Sequence, residues 1–295
     1  MSQEPFQPPG QKGGKGLSMS RMEELVLEAM PAKAPVKAKQ PRKILIYSKT
    51  AGFRHSSIAI GVKTLSLMGT KTGAYTSFAT EDESYFEPQK LKEFDGVFMV
   101  STTGDFLKPT KGDAKEKAAR EEVLRKSLME FVNSGKGLMG LHAATDSYPK
   151  SWPSYAGLIG GGFQSHPWTK LVPVKNVDPN NVVNAGLDGK DFEVDDEIYQ
   201  FRLDTAKATE LRFLLVLDVA KMGKDAAKGN RKTDGPYPVS WIANHGKGRV
   251  YYCSLGHREQ IFWNPLVLKH YLAGIQFALG DLPADATPTA NAAKK

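Results

Sequence analysis

The sequence predicts an α/β domain built on a doubly wound, mostly parallel sheet, and three observations carry that prediction. Short apolar runs bounded by turn residues recur at 43–48, 95–101, 137–141 and 249–253. Segments of helical spacing lie between them, and strands that alternate with helices imply parallel pairing through crossovers. The composition, 40% hydrophobic and 24% charged over 295 residues, is enough chain to bury one sizeable core.

In chain order, residues 1–41 read as a flexible basic tail, because their Gly/Lys and Pro/Ala/Lys runs supply little to bury. One short helix interrupts the tail. Ser20 is expected to cap it with Glu23 completing a capping box. Met22, Leu25, Val26 and Ala29 share its apolar face, which is expected to dock on a neighbouring surface or a partner. The domain itself spans 42–281. Its first strand leads into the loop 50–57, which sets Phe53, Arg54 and His55 at the strand's carboxyl end. Ser56 or Ser57 is expected to cap the helix that follows. A second strand is expected near 75–80. The third, at 95–101, releases the chain through 102–106, where Asp105 leaves the sheet. A helix over 114–133 carries Val123, Leu124, Leu128 and Phe131 at helical spacing, and Gly135 ends it.

The stretch 137–146 is the centre of the pattern: a buried strand breaking into the small-residue turn His142-Ala143-Ala144-Thr145-Asp146. Catalytic and binding residues are commonly presented where such a strand ends. Beyond it come the aromatic, glycine-rich segment 152–163, then Gln164-Ser165-His166-Pro167, and a strand near 171–175. The acidic cluster Asp195-Asp196-Glu197 with Tyr199 follows, then a strand at 211–219 and a polar loop over 220–234. A hairpin turns around His245, giving an added β-hairpin extension, and the last strand ends at His257. A closing helix over 265–279 precedes a disordered tail at 282–295.

Composition also excludes. The single cysteine, Cys253, rules out an internal disulfide framework and CxxC metal sites. No run of 18 apolar residues exists, so no membrane partner is expected, and no apolar leader is seen; a cytoplasmic protein is the expectation. Half of the net charge of +8 comes from residues 1–43, with eight Lys/Arg against four Asp/Glu. The body lacks the concentrated basic face that nucleic acid requires.

Six ionisable residues share one topological position at or just beyond a strand end: His55, His142, Asp146, His166, Glu197 and His257. Such ends converge on a crevice in a doubly wound sheet. The set suits general acid/base chemistry near neutral pH, and it also suits a divalent cation such as Zn²⁺. Any ligands are expected among His142, His166 and His257. His245 and His270 read as a turn residue and a helix-surface residue.

The motifs Gly140-Leu141-His142-Ala143-Ala144-Thr145-Asp146, 158–163 with His166-Pro167, Asp196-Glu197-Ile198-Tyr199, Pro238-Val239-Ser240-Trp241, 248–252 and Leu255-Gly256-His257 resemble the ThuA-like (trehalose utilisation) family. The resemblance runs from about residue 42 to 281 and implies a flavodoxin-like sheet similar to that of class I glutamine amidotransferases. In those enzymes the corresponding turn carries a catalytic cysteine. Here it carries His142, so thiolate amidotransfer is excluded.

The resemblance further implies bacterial carbohydrate metabolism, with trehalose or other disaccharides oxidised to 3-keto derivatives. A lyase, hydrolase or isomerase on keto-sugars would use His142 and His166 as acid and base. Glu197 would be a second carboxylate or the orienting partner, with His257 and Asp146 as polarising or supporting groups. His55, Phe53, Trp152, Tyr199 and Asp105 are the expected sugar contacts, with Tyr155, Phe163 and Trp263 as further flat surfaces. A non-catalytic sugar-binding or regulatory protein on the same fold is the alternative. The expected partner is a small sugar, and a homo-oligomer is compatible with this reading.

Overall fold

One mixed sheet of nine strands organises the protein. We describe it from a computed structural model that covers residues 16–202, 210–227 and 237–292. The chain runs α1 (Met19–Ala29), β1 (Lys43–Tyr47), α2 (Ile58–Thr72), β2 (Thr76–Thr80), the one-turn α3 (Pro88–Leu91), β3 (Gly96–Val100), α4 (Ala114–Asn133) and β4 (Gly137–Leu141). It continues with α5 (Pro153–Ile159), β5 (Gly162–Asn176), β6 (Phe192–Arg202), β7 (Arg212–Leu217), β8 (Pro238–His245), β9 (Gly248–Cys253), α6 (Pro265–Ala278) and α7 (Thr289–Ala292).

The strand order is β2-β1-β3-β4-β9-β8-β7-β5-β6. Pairing is parallel from β2 across to β9 and antiparallel from β9 out to β6. The parallel half is the one the sequence pattern predicts. The expected hairpin extension makes the sheet mixed: β8 returns into β9 through a tight turn that only antiparallel strands allow. The extension is therefore an antiparallel arm continuous with the main sheet.

Burial explains the parallel strands. All five residues of β3 and of β4 are buried, as in sheets covered on both faces. On one face α4 starts at a capping box formed by Asp113 and Glu116 and buries Leu124, Leu128, Phe131 and Val132. Val123, expected on that face, is 51% exposed. Gly160 closes α5 at φ +99°, and Trp241 packs where a Cβ would stand, so only glycine fits. The arm is long: β5 has 15 residues and β6 has 11. Register shifts within 163–168 of β5 bend it.

Both termini differ from expectation. The cap of α1 is Ser18, whose Oγ accepts from Arg21 N at 3.2 Å, rather than Ser20. The helix does dock: Met22, Leu25 and Val26 are buried, and α1 packs against α2 and the 3-10 turn Glu259–Trp263. The Pro/Ala/Lys run is laid along the domain too. Val36 exchanges two hydrogen bonds with the Gln276 amide, and Asp281 accepts from Lys39 N and the Arg42 guanidinium. Residues 31–41 are thus packed through backbone and charge contacts, which apolar patterning does not reveal; residues 1–15 lie outside the described residues. The α2 cap is Ser57, but its hydroxyl donates to Gly256 O at 2.7 Å instead of capping.

At the other end, Leu282 and Ala286 are buried and Thr289 N donates to Leu211 O, so the expected disordered tail is anchored as far as α7. Residues 293–295 and the part 228–234 of the expected polar loop lie outside the described residues. His270 is not a surface residue. It is 2% exposed, its Nε2 is 2.8 Å from Ser240 Oγ, and burial lowers its pKa to about 4.

Two outcomes follow. Amides of α1 are expected to be protected in hydrogen exchange, and Leu25→Ala to cost about 2–5 kcal/mol in denaturant unfolding. Unprotected α1 amides would contradict the docking. His270 is held neutral in the fold but binds a proton near pH 6.5 when unfolded. The His270 contribution to stability is therefore expected to fall as pH drops from 6.5 towards 4 and to be constant above that window. His270→Asn should make that slope shallower, and an unchanged slope would contradict the assignment.

Candidate active site

His142 is presented by backbone strain at the end of β4. Its φ is +45°, a left-handed conformation that is costly for a residue with a Cβ. Three contacts hold it there. Tyr252 Oη donates to the His142 carbonyl at 2.5 Å, and Thr145 Oγ1 lies 3.1 Å from the same tyrosine hydroxyl. The His142 Nδ1 is 2.9 Å from the Ser254 carbonyl oxygen. A carbonyl only accepts, so Nδ1 carries the proton and Nε2 offers a lone pair. The ring is fully buried, and burial followed by the nearby His55 keeps it neutral, well below the usual histidine range.

That lone pair faces two more heteroatoms. His257 Nδ1 is 3.3 Å from His142 Nε2, and Glu197 Oε2 is 3.6 Å from it. The third side of the triangle, His257 Nδ1 to Glu197 Oε2, is 3.3 Å. His55 closes the group from the loop after β1: one donor atom from each of His55, His142, Glu197 and His257 lies within 4.8 Å of the others. His55 is 6% exposed, its Nδ1 has no protein partner, and burial lowers its pKa to about 4.

This donor set fits a divalent cation. Three electron-rich atoms meet with at most one proton, on His257 Nδ1, to share between His142 Nε2 and Glu197 Oε2. Tetrahedral zinc with bonds of about 2.0–2.1 Å places its ligand atoms about 3.3 Å apart, close to the three separations seen. The His142 Nδ1 contact to a backbone carbonyl is the outer-shell hydrogen bond that a zinc-bound histidine commonly makes. The charges are complementary as well. The hydrogen bond that His257 donates to Glu197 raises the pKa of His257. Burial would raise that of Glu197, but the His257 hydrogen bond and the charges of His257 and His166 bring it below the ordinary value.

The predicted site residues divide into groups. His55, His142, Glu197 and His257 meet. His166 joins them only through Glu197, with Nδ1 3.2 Å from Oε1 while its side chain is 54% exposed. Of the expected ligand set, His142 and His257 lie in the group with His55 and Glu197, and His166 stands outside it. Tyr199 lies against His142 at 4.4 Å between ring centres, and Phe163 lies against Tyr199 at 4.5 Å. Phe53 is 67% exposed beside His55, with ring centres 4.8 Å apart.

Asp146 is half-buried. Burial raises its pKa against the charges of Arg202 and His166. Asp105 is drawn away from the group, accepting from Ser151 Oγ at 2.7 Å. Trp152, Tyr155 and Trp263 are buried packing residues; Trp152 sits against Tyr148, Tyr155 and the Arg125 guanidinium. The lone thiol is no substitute nucleophile, since burial pushes Cys253 up to about 12.

The profile of the ThuA family, described as trehalose utilisation, matches residues 43–278. The chain belongs to the ThuA family. Solved structures agree on the fold. A ThuA-like protein from Bacteroides uniformis is 21% identical with a TM-score of 0.59, over 82% of this chain and 93% of that one. A ThuA-like protein from Parabacteroides merdae is 16% identical with a TM-score of 0.57, over 85% and 96%. A cytoplasmic protein from Salmonella typhimurium is 9% identical with a TM-score of 0.51, over 80% and 98%. No curated protein matches the chain. Within this ThuA chain, no helix among the described residues is long and apolar enough to cross a membrane.

Removing Glu197's charge should leave His142 Nε2 without its anionic neighbour. Glu197→Gln is expected to weaken zinc binding at least tenfold in chelator competition. Unchanged affinity would show that the carboxylate is not a ligand.

Proposed function

We propose that this ThuA protein is a carbohydrate-processing enzyme acting on keto-sugars or 3-keto-glycosides by metal-assisted acid/base chemistry. The observation that carries the proposal is the triangle of His142 Nε2, His257 Nδ1 and Glu197 Oε2, with sides of 3.3, 3.3 and 3.6 Å and His55 beside it. The family's description supports the carbohydrate class. The flavodoxin-like description suits the order of the parallel strands, whose carboxyl ends carry three of the four residues.

His55, His142, His257 and Glu197 would hold the cation, which when bound would polarise the sugar's keto oxygen. Every other part is played by the chain's own side chains. The C–H beside a keto group is acidic, so a base at the rim can remove that proton and open a route to elimination of the glycosidic substituent or to isomerisation. His166, exposed and steadied by Glu197 at 3.2 Å, has the access for that base. Asp146, raised by burial, is the candidate acid for the departing oxygen. Phe53 and Phe163 would flank the ring, and Tyr199 would wall off water from His142. A small sugar is the partner this arrangement calls for, in the cytoplasm.

The test is turnover of 3-keto-trehalose and 3-keto-glucosides by the purified protein, with and without prior chelation. Turnover is expected to vanish on chelation and return with added zinc, and His142→Ala to lose more than about 100-fold. Turnover indifferent to chelator would make the histidines proton-transfer groups instead of ligands. Absence of turnover in both samples would overturn the catalytic reading.

A further inference from the structure

Asp196 is an acidic residue with no exposed surface. A carboxylate does not stay there without compensation. Its compensation is a set of backbone donors from one turn. Gly256 N donates to Oδ2 at 2.7 Å, Arg258 N donates to Oδ1 at 2.9 Å, and His257 N lies 3.4 Å from Oδ2. Charge-assisted bonds of this kind are among the stronger ones available to a fold. Gly256 adopts φ +133°, so the turn that offers these donors is built around a residue without a Cβ.

The position of Asp196 in the topology gives these bonds a further meaning. β6 is the last strand of the antiparallel arm and β9 the last of the parallel set, with β8, β7 and β5 between them. No ladder joins the two. Asp196 ties them through backbone donors, beside its chain neighbours Asp195, 3.4 Å from Arg258 Nε, and Glu197. Successive strand residues face opposite ways. The strand therefore straddles the turn: Asp196 takes the backbone of 256–258 while Glu197 takes the His257 imidazole at 3.3 Å. One strand thus fixes both the carboxylate and the imidazole of the same group.

We infer that Asp196 is a positioning residue that assembles the cation site, locking the arm that carries Glu197 onto the turn that carries His257. The inference rests on the metal-site reading above. It adds that the site spans two halves of the sheet and is completed only when the arm is clamped. Asn at 196 keeps the size and one acceptor, but its amide would point N–H groups at backbone N–H groups and open the clamp.

The experiment compares the full-length parent with Asp196→Asn and Glu197→Gln in zinc affinity, by chelator competition, and in the visible spectrum of the cobalt-loaded proteins. Asp196→Asn is expected to weaken zinc about 10–100-fold. Its cobalt spectrum should shift towards that of Glu197→Gln. Zinc affinity within threefold of the parent, with Glu197→Gln weakened, would overturn the role of Asp196 alone. No effect of either substitution would overturn the metal-site reading itself. Should Asp196→Asn fail to fold, Asp196→Glu keeps the charge while moving the turn. Intermediate affinity there supports the inference, and parental affinity contradicts it.

Discussion

The site depends on one constraint, the Ser254 carbonyl beside His142 Nδ1. That contact fixes the tautomer of a fully buried imidazole and turns its lone pair towards Glu197 and His257. Without a cation, the carboxylate and the two ring nitrogens share too few protons to satisfy one another. The fold nevertheless forces them together: it strains the His142 backbone and buries Asp196 to hold the opposite side. Strain and buried charge concentrated in one place are what a built site shows.

Topology explains how distant residues meet. The parallel strands deliver His55, His142 and His257 by their carboxyl ends, as open α/β sheets do. Glu197 and His166 arrive by a different route. The sheet continues past β9 as an antiparallel arm, bent by register shifts in β5, and β6 returns over the crevice. The turn after β4 carries a neutral histidine, His142. The only thiol is buried in β9 and held protonated. The same strand-to-turn geometry therefore presents a neutral imidazole with a free lone pair on Nε2.

What the sequence made legible follows from what is local. The buried strands β1, β3, β4 and β9 are continuous apolar runs, and the histidines at their ends were readable as a converging set. What could not be read is long-range. Membership of Glu197 rather than His166 depends on how far the arm curls. The burial of His270 depends on Ser240 in a strand 30 residues away. Trp152 carries the same letters whether it packs or stacks on a sugar. Residues 31–41 look like a linker because their anchors are Val36 backbone atoms and the charges of Arg42 and Asp281, which leave no hydrophobic period.

A zinc-soaked crystal examined by anomalous diffraction at the zinc edge tests the central claim most directly. The account predicts one strong peak about 2.0–2.1 Å from His142 Nε2, His257 Nδ1 and Glu197, with His55 completing the set. Zinc bound only at surface histidines, with His142 Nε2 left unligated, would contradict it.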